Sequence, residues 1–494
     1  MGMSNVAETL AVIFIWVVGL LLLLGVVLFI IDISQTKDAV RRNYPVIGRF
    51  RHIFSELGDF FRQYFFAMDR EEMPFNRAQR EWVDRAASGK GNTVAFGSTK
   101  NLQPVGTPIF VNCAWPTLDE DAVEAEALLI GARARAPYLA PSYFNISAMS
   151  YGSLSKPALR ALSLGAAKAG CWLNTGEGGL TPYHLEGDCD VIFQIGTAKY
   201  GVRTEDGELS DEKLKAVAAH PQVKMFELKL SQGAKPGKGG ILPAEKVSEE
   251  IAKIRGIRPH EASISPNRHP EIDSIEDLCA MIQRLRDVTG KPVGIKFVVG
   301  AYGWLLSYFE HIAKGHPNDA PDFITVDSGD GGTGAAPMPL MDNVGLTIRE
   351  SLPMVVDMRN QFGLEDRIRI VASGKMVTPG DVAWALATGA DFVNSARGFM
   401  FSIGCIQAMK CNTNRCPTGV TTHDKRLQRG LVPEEKAHKV ANFVDNMRTE
   451  VGTIAHSCGV HSPRGLKRHH VRLVCPDGRS RPMDELHPAP ARQS

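Results

Sequence analysis

Three cysteines lie close together near the carboxyl end of this chain, in the stretch "CIQAMKCNTNRC" at residues 405–416. They are Cys405, Cys411 and Cys416, in a chain of 494 residues with nine cysteines in all. Grouped thiols serve as metal or cluster ligands, as redox groups or as disulfides, and the redox state of the compartment decides between these roles.

Glycine-rich stretches follow three of the apolar runs, at the points where strands would end. They are "GDGGTGAAP" at 329–337, "GK" at 374–375 and "ARG" at 396–398. Glycine lets backbone N–H groups approach an anion closely, and the loops after the last strands of a barrel commonly hold a phosphate. Three such loops together predict a phosphate-bearing cofactor, whereas one alone would indicate a turn.

Two lysines, Lys229 in "ELKL" and Lys296 in "GIKF", lie inside apolar runs. An unpaired ammonium group there would be costly, so each needs an anionic partner. A salt bridge to a neighbouring strand is one explanation. For Lys296 we favour a second one, in which the lysine faces the N1 and C2 carbonyl edge of a flavin and stabilises its reduced ring.

The elements that must position these groups are eight short apolar runs rich in β-branched residues. Helical patterns separate them, so the order is βαβα and a parallel sheet buried on both faces is predicted. Eight units favour a (β/α)₈ barrel over a doubly wound sheet, and they place the chemistry at the carboxyl ends of the strands. The runs are 143–149, 171–175, 191–197, 224–230, 292–299, 323–328, 367–373 and 391–396.

The amino-terminal stretch from Leu10 to Ile31 has twenty-two residues without a charge, enough to cross a bilayer. Basic residues follow it (Lys37, Arg41, Arg42, Arg49 and Arg51) and none precedes it, which predicts a single-pass anchor in the cell membrane with the rest of the chain in the cytoplasm. That compartment is reducing, so the grouped cysteines are predicted to be ligands or redox groups. The net charge of +2 gives no indication of nucleic acid binding.

We therefore divide the chain into four parts: an anchor at 1–34, a juxtamembrane and N-terminal extension at 35–139, the barrel at 140–460 and a carboxyl-terminal tail at 461–494. The end of the tail, residues 476–494, is polar and contains several prolines, and we expect it to be disordered.

Five motifs, in the same order, resemble the synthase domain of glutamate synthase. They are "ISAMSYGSLSKPAL", "NTGEGG", "KLSQGAKPGKGG", "SGDGGTGAAP" and "CIQAMKCNTNRCPTGV", and the likeness spans roughly residues 140–460. The resemblance implies an FMN-binding barrel with a 3Fe-4S cluster held by Cys405, Cys411 and Cys416. Three thiolates suffice for a cluster that lacks one iron. A zinc site completed by His423 and buried cysteines without a ligand remain as alternatives.

The resemblance also implies roles for individual residues. Glu177, Lys235 and Arg255 would handle 2-oxoglutarate and the incoming amine, because arginine can clamp a carboxylate and lysine can polarise a keto group. The residues expected to contact the cofactor are Ala148, Met149, Ser150, Gln194, Lys229, Lys296, Ser328, Gly331, Gly332, Thr333, Gly374, Lys375, Ala396 and Arg397.

The implied reaction is the reductive amination of 2-oxoglutarate with ammonia through an imine, with electrons passing from the cluster to FMN. We expect a separate reductase subunit or a ferredoxin as donor, because no nicotinamide-binding G-x-G-x-x-G unit follows a strand. We also expect no hydrolysis of glutamine by this chain, because a membrane helix stands where the family has its glutaminase domain.

Two positions depart from the family pattern as we interpret it, since Ile241 replaces a polar residue and Gly329 replaces a histidine. Two other functions therefore remain open. One is a related FMN barrel oxidoreductase that uses another amine or 2-oxo acid, such as an enzyme of N-methylglutamate synthesis. The other is an electron-transfer subunit without catalytic activity.

Overall fold

The computed structural model describes residues 3–492. They form two compact units, and the boundary between them in the sequence falls between residues 78 and 79. The first unit begins with the helix Met3–Ser34 and continues with Ala39–Asn43, Gly48–Phe61 and a π-helical turn at Arg62–Phe66. Within the first helix, Val6–Ser34 is long and apolar enough to cross a membrane, by length and composition alone.

An ion cluster fixes the chain just after this apolar helix. The buried carboxylate of Asp32 lies 2.6 Å from Arg41 and 2.7 Å from Arg49, and it also accepts a hydrogen bond from the backbone N–H of Val46. Two of the five basic residues after the span are therefore paired with the helix end.

The second unit is built on a closed barrel of eight parallel strands, as the sequence predicted. Each predicted run forms one strand, because β-branched and aromatic side chains suit strands that are covered on both faces. In chain order the barrel strands are β1 (Phe144–Ile146), β2 (Leu173–Asn174), β3 (Val191–Ile195), β4 (Val223–Lys229), β5 (Val293–Val298), β6 (Phe323–Asp327), β7 (Arg369–Ser373) and β8 (Phe392–Ser395).

Helices cover the outside of the barrel. The longest, Pro433–Ser457, packs against Lys156–Ala169 so closely that a Cβ atom on Gly165 would lie 2.4 Å from Cβ of Val440. The boundary between the two units falls inside the helix Arg77–Ala87. The remaining helices of the second unit are Pro182–Leu185, Asp211–Ala218, Glu249–Arg255, Ile275–Thr289, Gly303–Ala313, Met338–Met341, Ile348–Gln361, Pro379–Thr388, Arg397–Ser402, Lys425–Gln428 and Met483–Leu486.

A hairpin formed by Leu128–Ile130 and Tyr138–Ala140 covers the end of the barrel where the strands begin. Its side chains join an apolar cluster with Trp172, Phe323 and Phe392, which lie at the starts of β2, β6 and β8. This end is therefore filled by packing, and the opposite end, where the strands finish, is left for chemistry.

The expectation of disorder at residues 476–494 is wrong for most of that segment. Ser480–Pro482 pairs with Val471–Val474, which in turn pairs with Pro108–Phe110. The ladder satisfies the backbone groups, and the buried side chain of Met483 anchors the following helical turn. Residues 493 and 494 lie outside the described part of the chain. A further short ladder joins Ile241–Leu242 to Ser263–Ile264.

Candidate active site

A cavity opens at the carboxyl ends of the barrel strands, where the sequence analysis placed the chemistry. It is lined by side chains from the loops after β1, β2, β4, β6 and β8. Fourteen of the predicted site residues line it: Ala148, Met149, Ser150, Glu177, Gln194, Lys229, Lys235, Arg255, Lys296, Gly332, Thr333, Ala396, Arg397 and Cys411.

The Glu177 carboxylate is the centre of charge in this cavity. It lies in a tight turn after β2, 2.8 Å from Nζ of Lys229 and 3.3 Å from Nζ of Lys235. Glycines make room for it, because a Cβ atom on Gly196 or Gly240 would come within 2.7 Å of the Glu177 side chain. A single carboxylate thus bridges two ammonium groups from β4 and the loop that follows it.

These neighbours set the protonation of the cluster. Burial would raise the pKa of the Glu177 carboxyl, but Lys229 and Lys235 more than offset this and hold that pKa well below its usual range. Burial lowers the pKa of Lys229 to about 8, against the opposing effect of Glu177. Lys229 can therefore exchange a proton near neutral pH more readily than an exposed lysine.

A second network lies deeper in the barrel and centres on Glu227, a residue that the sequence analysis did not select. Its carboxylate is 1% exposed and accepts hydrogen bonds from Asn174, Gln194 and Thr325, at 2.9, 2.7 and 2.6 Å. Glu227 therefore fixes the side-chain amide of Gln194. The sequence contained a signal for Glu227, because residues two apart in a strand lie on the same face and Glu227 is two residues before Lys229 in β4.

Lys296 has the anionic partner that its position in an apolar strand requires. Its Nζ lies 3.4 Å from Oδ2 of Asp327, at the end of the neighbouring strand β6. Burial would lower the pKa of Lys296, but Asp327 and Glu227 raise it instead, so the lysine is held in its charged form. The salt bridge to a neighbouring strand is thus present, and the ammonium group still lines the cavity.

Arg255 is buried at the end of the helix Glu249–Arg255. Its guanidinium donates to the carbonyl of Tyr151 at 3.1 Å and to Oγ of Ser263 at 3.4 Å, and it lies over the ring of Tyr200 at 5.0 Å. Its Nε–H has no partner, and no carboxylate of residues 3–492 lies within 4.0 Å of the group. An arginine in this setting can bind an anion that enters the cavity.

The glycine-rich loops form a second part of the cavity wall. Arg397 donates to the carbonyl of Thr333 at 2.8 Å, and a Cβ atom on Gly332 would lie 3.0 Å from its Nε. Gly374 has φ of +108°, and a Cβ atom there would overlap Ser328. The absence of side chains therefore lets the loops after β6, β7 and β8 approach each other.

Several residues predicted to contact the cofactor do not line the cavity. The Ser328 hydroxyl contacts the Asp330 carboxylate and accepts from the backbone N–H of Ile348, and Lys375 pairs with Asp330 at 2.8 Å. Ser328, Gly331, Gly374 and Lys375 do not line the cavity, and neither do Cys405 and Cys416.

Cys405, Cys411 and Cys416 are free thiols on the same side of the barrel as the cavity, which Cys411 lines. Burial raises the pKa of Cys405; burial would also raise that of Cys416, but hydrogen bonds from Thr418 and Thr421 lower it.

The three sulfur atoms do not all lie within the 4.8 Å that one ion would require. In residues 3–492 the side chains that meet this limit are Cys279, His311 and Asp319, on outer helices and a loop. Nε2 of His423 lies 2.9 Å from the carbonyl oxygen of Gly152, so this ring nitrogen already has a polar neighbour other than the cysteines. The three thiols are therefore not gathered around one position, as a single zinc ion requires, whereas ligands of separate irons in a cluster need no such gathering.

Lys246 is a further residue of this wall that the sequence analysis missed. It lies in a 3₁₀ turn after β4, lines the cavity and is 2% exposed. The stretch "LPAEKVSEE" resembles a polar surface turn, and the burial of its lysine comes from the packing of loops that are distant in sequence.

Comparisons with known proteins show the family to which the chain belongs. The conserved region in glutamate synthase matches residues 111–461. The glutamate synthase large subunit-like protein YerD of Bacillus subtilis (strain 168) is 40% identical and aligns with 98% of this chain and 99% of its own length. The archaeal glutamate synthase [NADPH] of Methanocaldococcus jannaschii is 34% identical over 66% of this chain, which spans 61% of that protein. Among solved structures, a mutant flavocytochrome b2 with benzoylformate aligns with 80% of this chain and 78% of its own, at 15% identity and a TM-score of 0.48.

We predict that Glu177→Gln lowers the pKa of Lys229 below about 8, because the nearest carboxylate is lost while the lysine stays buried. Competitive labelling of the protein with acetic anhydride over a range of pH, followed by peptide mass spectrometry, reads this pKa directly. The midpoint for Lys229 should fall by about one unit, which corresponds to about 1.4 kcal/mol. Asp330→Asn removes a carboxylate from a different lysine pair and should leave the Lys229 midpoint in place. An unchanged midpoint in Glu177→Gln would contradict the pairing.

Proposed function

This chain belongs to the glutamate synthase family, and we propose that it is an FMN- and iron–sulfur-dependent oxidoreductase that forms glutamate from 2-oxoglutarate and ammonia. The observation that carries the proposal is the position of Arg255, a buried cation without a carboxylate partner that faces the same cavity as Glu177, Lys229 and Lys235. Such a cavity suits a dicarboxylate with a polar reacting carbon.

The cavity wall fits the chemistry of FMN. Small residues from 332–335, together with Ala396, leave backbone groups accessible beside the Arg397 guanidinium, as a phosphate requires. On the other side of the cavity, Ala148, Met149 and Ser150 form an edge near Gln194 and Lys296. Bound FMN would supply hydride transfer to an imine carbon, and an iron–sulfur cluster would supply its electrons.

The chain's own side chains would bind the substrate and move protons. Arg255 would hold a carboxylate of the 2-oxo acid, and Lys235 would donate a hydrogen bond to its keto oxygen. Glu177 would hold the ammonium groups of Lys235 and Lys229 in place. Because the pKa of Lys229 is about 8, this lysine is the group best suited to exchange a proton with the reacting atoms.

A second candidate function follows from Ile241, which lines the cavity beside Leu242 and Pro243. An apolar side chain there can contact an alkyl group on the amine, which favours synthesis of an N-substituted amino acid such as N-methylglutamate. A subunit that only transfers electrons is the third possibility, and it would convert no 2-oxo acid. In each case the donor would be a reductase subunit or a ferredoxin.

We predict that Arg255→Lys raises KM for 2-oxoglutarate by roughly 10- to 100-fold, since a bidentate charge-assisted contact of about 1.5–3 kcal/mol is weakened. The purified full chain is assayed for glutamate with reduced methyl viologen as electron donor, with ammonium or methylamine as the amine. Arg203→Lys is the matched control, because Arg203 also lies over Tyr200, at 6.0 Å, but does not line the cavity. An unchanged KM would refute the role of Arg255, and turnover of methylamine alone would favour the second candidate.

For the cysteines, we predict that Cys411→Ser loses iron and the low-temperature electron spin resonance signal of the oxidised cluster while FMN stays bound. A missing thiolate leaves one iron without its ligand. Cys475→Ser serves as control, because Cys475 is also partly exposed and lies outside the cavity wall. Zinc in place of iron in the purified protein would eliminate the cluster and favour the alternative site.

We propose further that the helix Val6–Ser34 anchors the protein in the cell membrane, with the catalytic unit in the cytoplasm. Replacing both Leu20 and Leu22 by arginine should cost roughly 5–7 kcal/mol of insertion free energy, about twice the cost of one arginine at a helix centre. The variant should leave the carbonate-resistant membrane fraction, whereas the Leu→Ile pair at the same positions should stay there. Retention of the arginine variant would refute the anchor.

A further inference from the structure

Lys246 differs from the other buried lysines of the cavity in the kind of partner it has. Lys229 and Lys235 pair with Glu177, and Lys296 pairs with Asp327. The ammonium group of Lys246, by contrast, has no carboxylate within 4.0 Å in the part of the chain that the structure describes. It is nevertheless 2% exposed.

Three backbone carbonyls take up the hydrogen bonds of this group. Nζ of Lys246 donates to Ser153 at 3.2 Å, to Cys411 at 3.3 Å and to Thr421 at 2.8 Å. The three donors of an ammonium group are thereby satisfied by neutral acceptors. The hydrogen bonds are complete, and the positive charge is not balanced by any of them.

The groups that could balance this charge are the predicted cluster ligands. The hydrogen bond from Nζ to the carbonyl oxygen of Cys411 places the ammonium group of Lys246 beside the loop that carries Cys411 and Cys416. A buried charge without a counter-ion costs several kcal/mol. Three thiolates bound to iron would bring negative charge to this place, and reduction of the cluster would add one more.

We propose that Lys246 is the counter-cation of an anionic iron–sulfur cluster at Cys405, Cys411 and Cys416, and that its charge raises the reduction potential of this cluster. This inference rests on the proposed function, because it requires the iron–sulfur cluster proposed there. The cluster takes up one electron from the donor, and no proton moves at Lys246. Since the ammonium group stabilises the reduced form more than the oxidised form, it makes the cluster a better electron acceptor. Lys246 is thus a positioning residue that acts through the cluster and touches no substrate.

The test is a redox titration of the purified full chain with dithionite and mediators, followed by the electron spin resonance signal of the cluster. Lys246→Gln keeps hydrogen-bond donors but removes the charge, and it should disfavour reduction about tenfold, a shift of about 59 mV to lower potential for a one-electron couple. Lys246→Arg keeps the charge and should change the equilibrium between the oxidised and the reduced cluster less than threefold. Lys410→Gln is the matched control, because Lys410 precedes Cys411 but is exposed, so water screens its charge. It should also shift the equilibrium less than threefold.

The outcomes separate this inference from the proposed function. Absence of a cluster in the unaltered protein would defeat the proposed function itself, and the inference with it. A cluster present in Lys246→Gln at an unchanged potential would overturn the inference and leave the proposed function standing. If Lys246→Gln loses its iron while Lys246→Arg keeps it, the requirement for a cation is supported. If both variants lose iron, or if Lys246→Arg shifts as far as Lys246→Gln, Lys246 has a structural role only.

Discussion

The cost of burying charged side chains inside the barrel governs the arrangement of this site. A carboxylate or ammonium group inside a protein needs an opposite charge or a full set of hydrogen bonds. The barrel meets this demand in three ways. Glu177 is shared by two lysines, Glu227 is surrounded by neutral donors, and Lys296 is paired across neighbouring strands. These pairs fix the side chains that surround the cavity, so the space between them is shaped before any ligand enters.

Two cations, Arg255 and Lys246, fall outside this pattern, and both line the cavity. Each is buried, and each makes hydrogen bonds to neutral groups only. A protein can keep such a charge where a ligand or cofactor completes the balance. The proposed function would supply two such anions, a substrate carboxylate beside Arg255 and an iron–sulfur cluster at the cysteines.

The fold was accessible from the sequence because every barrel strand is buried on both faces, and the eight apolar runs stand out from the polar helices and loops between them. The sequence also predicted that Lys229 and Lys296 need anionic partners, because both lie inside apolar runs. Their actual partners were not predictable, because Glu177 lies in a loop after another strand and Asp327 ends a neighbouring one. Lys246 escaped notice because its burial depends on three loops that meet only in the folded chain. The carboxyl-terminal ladder was missed because its strands are only three or four residues long, and the pairing of Val471–Val474 with Pro108–Phe110 joins segments far apart in the sequence.

The hairpin that covers the starting ends of the strands has a consequence for the order of events in a reaction cycle. With that end filled by Ile130, Tyr138 and the side chains around Trp172, small molecules reach the barrel interior from the opposite rim alone. The cysteines that would receive electrons lie on that same rim. Under the proposed function, an electron donor docked there would share the entrance with the 2-oxo acid and the amino acid product, so a tightly bound donor would slow product escape. Weak, short-lived docking, with release between electron deliveries, would keep this opening free.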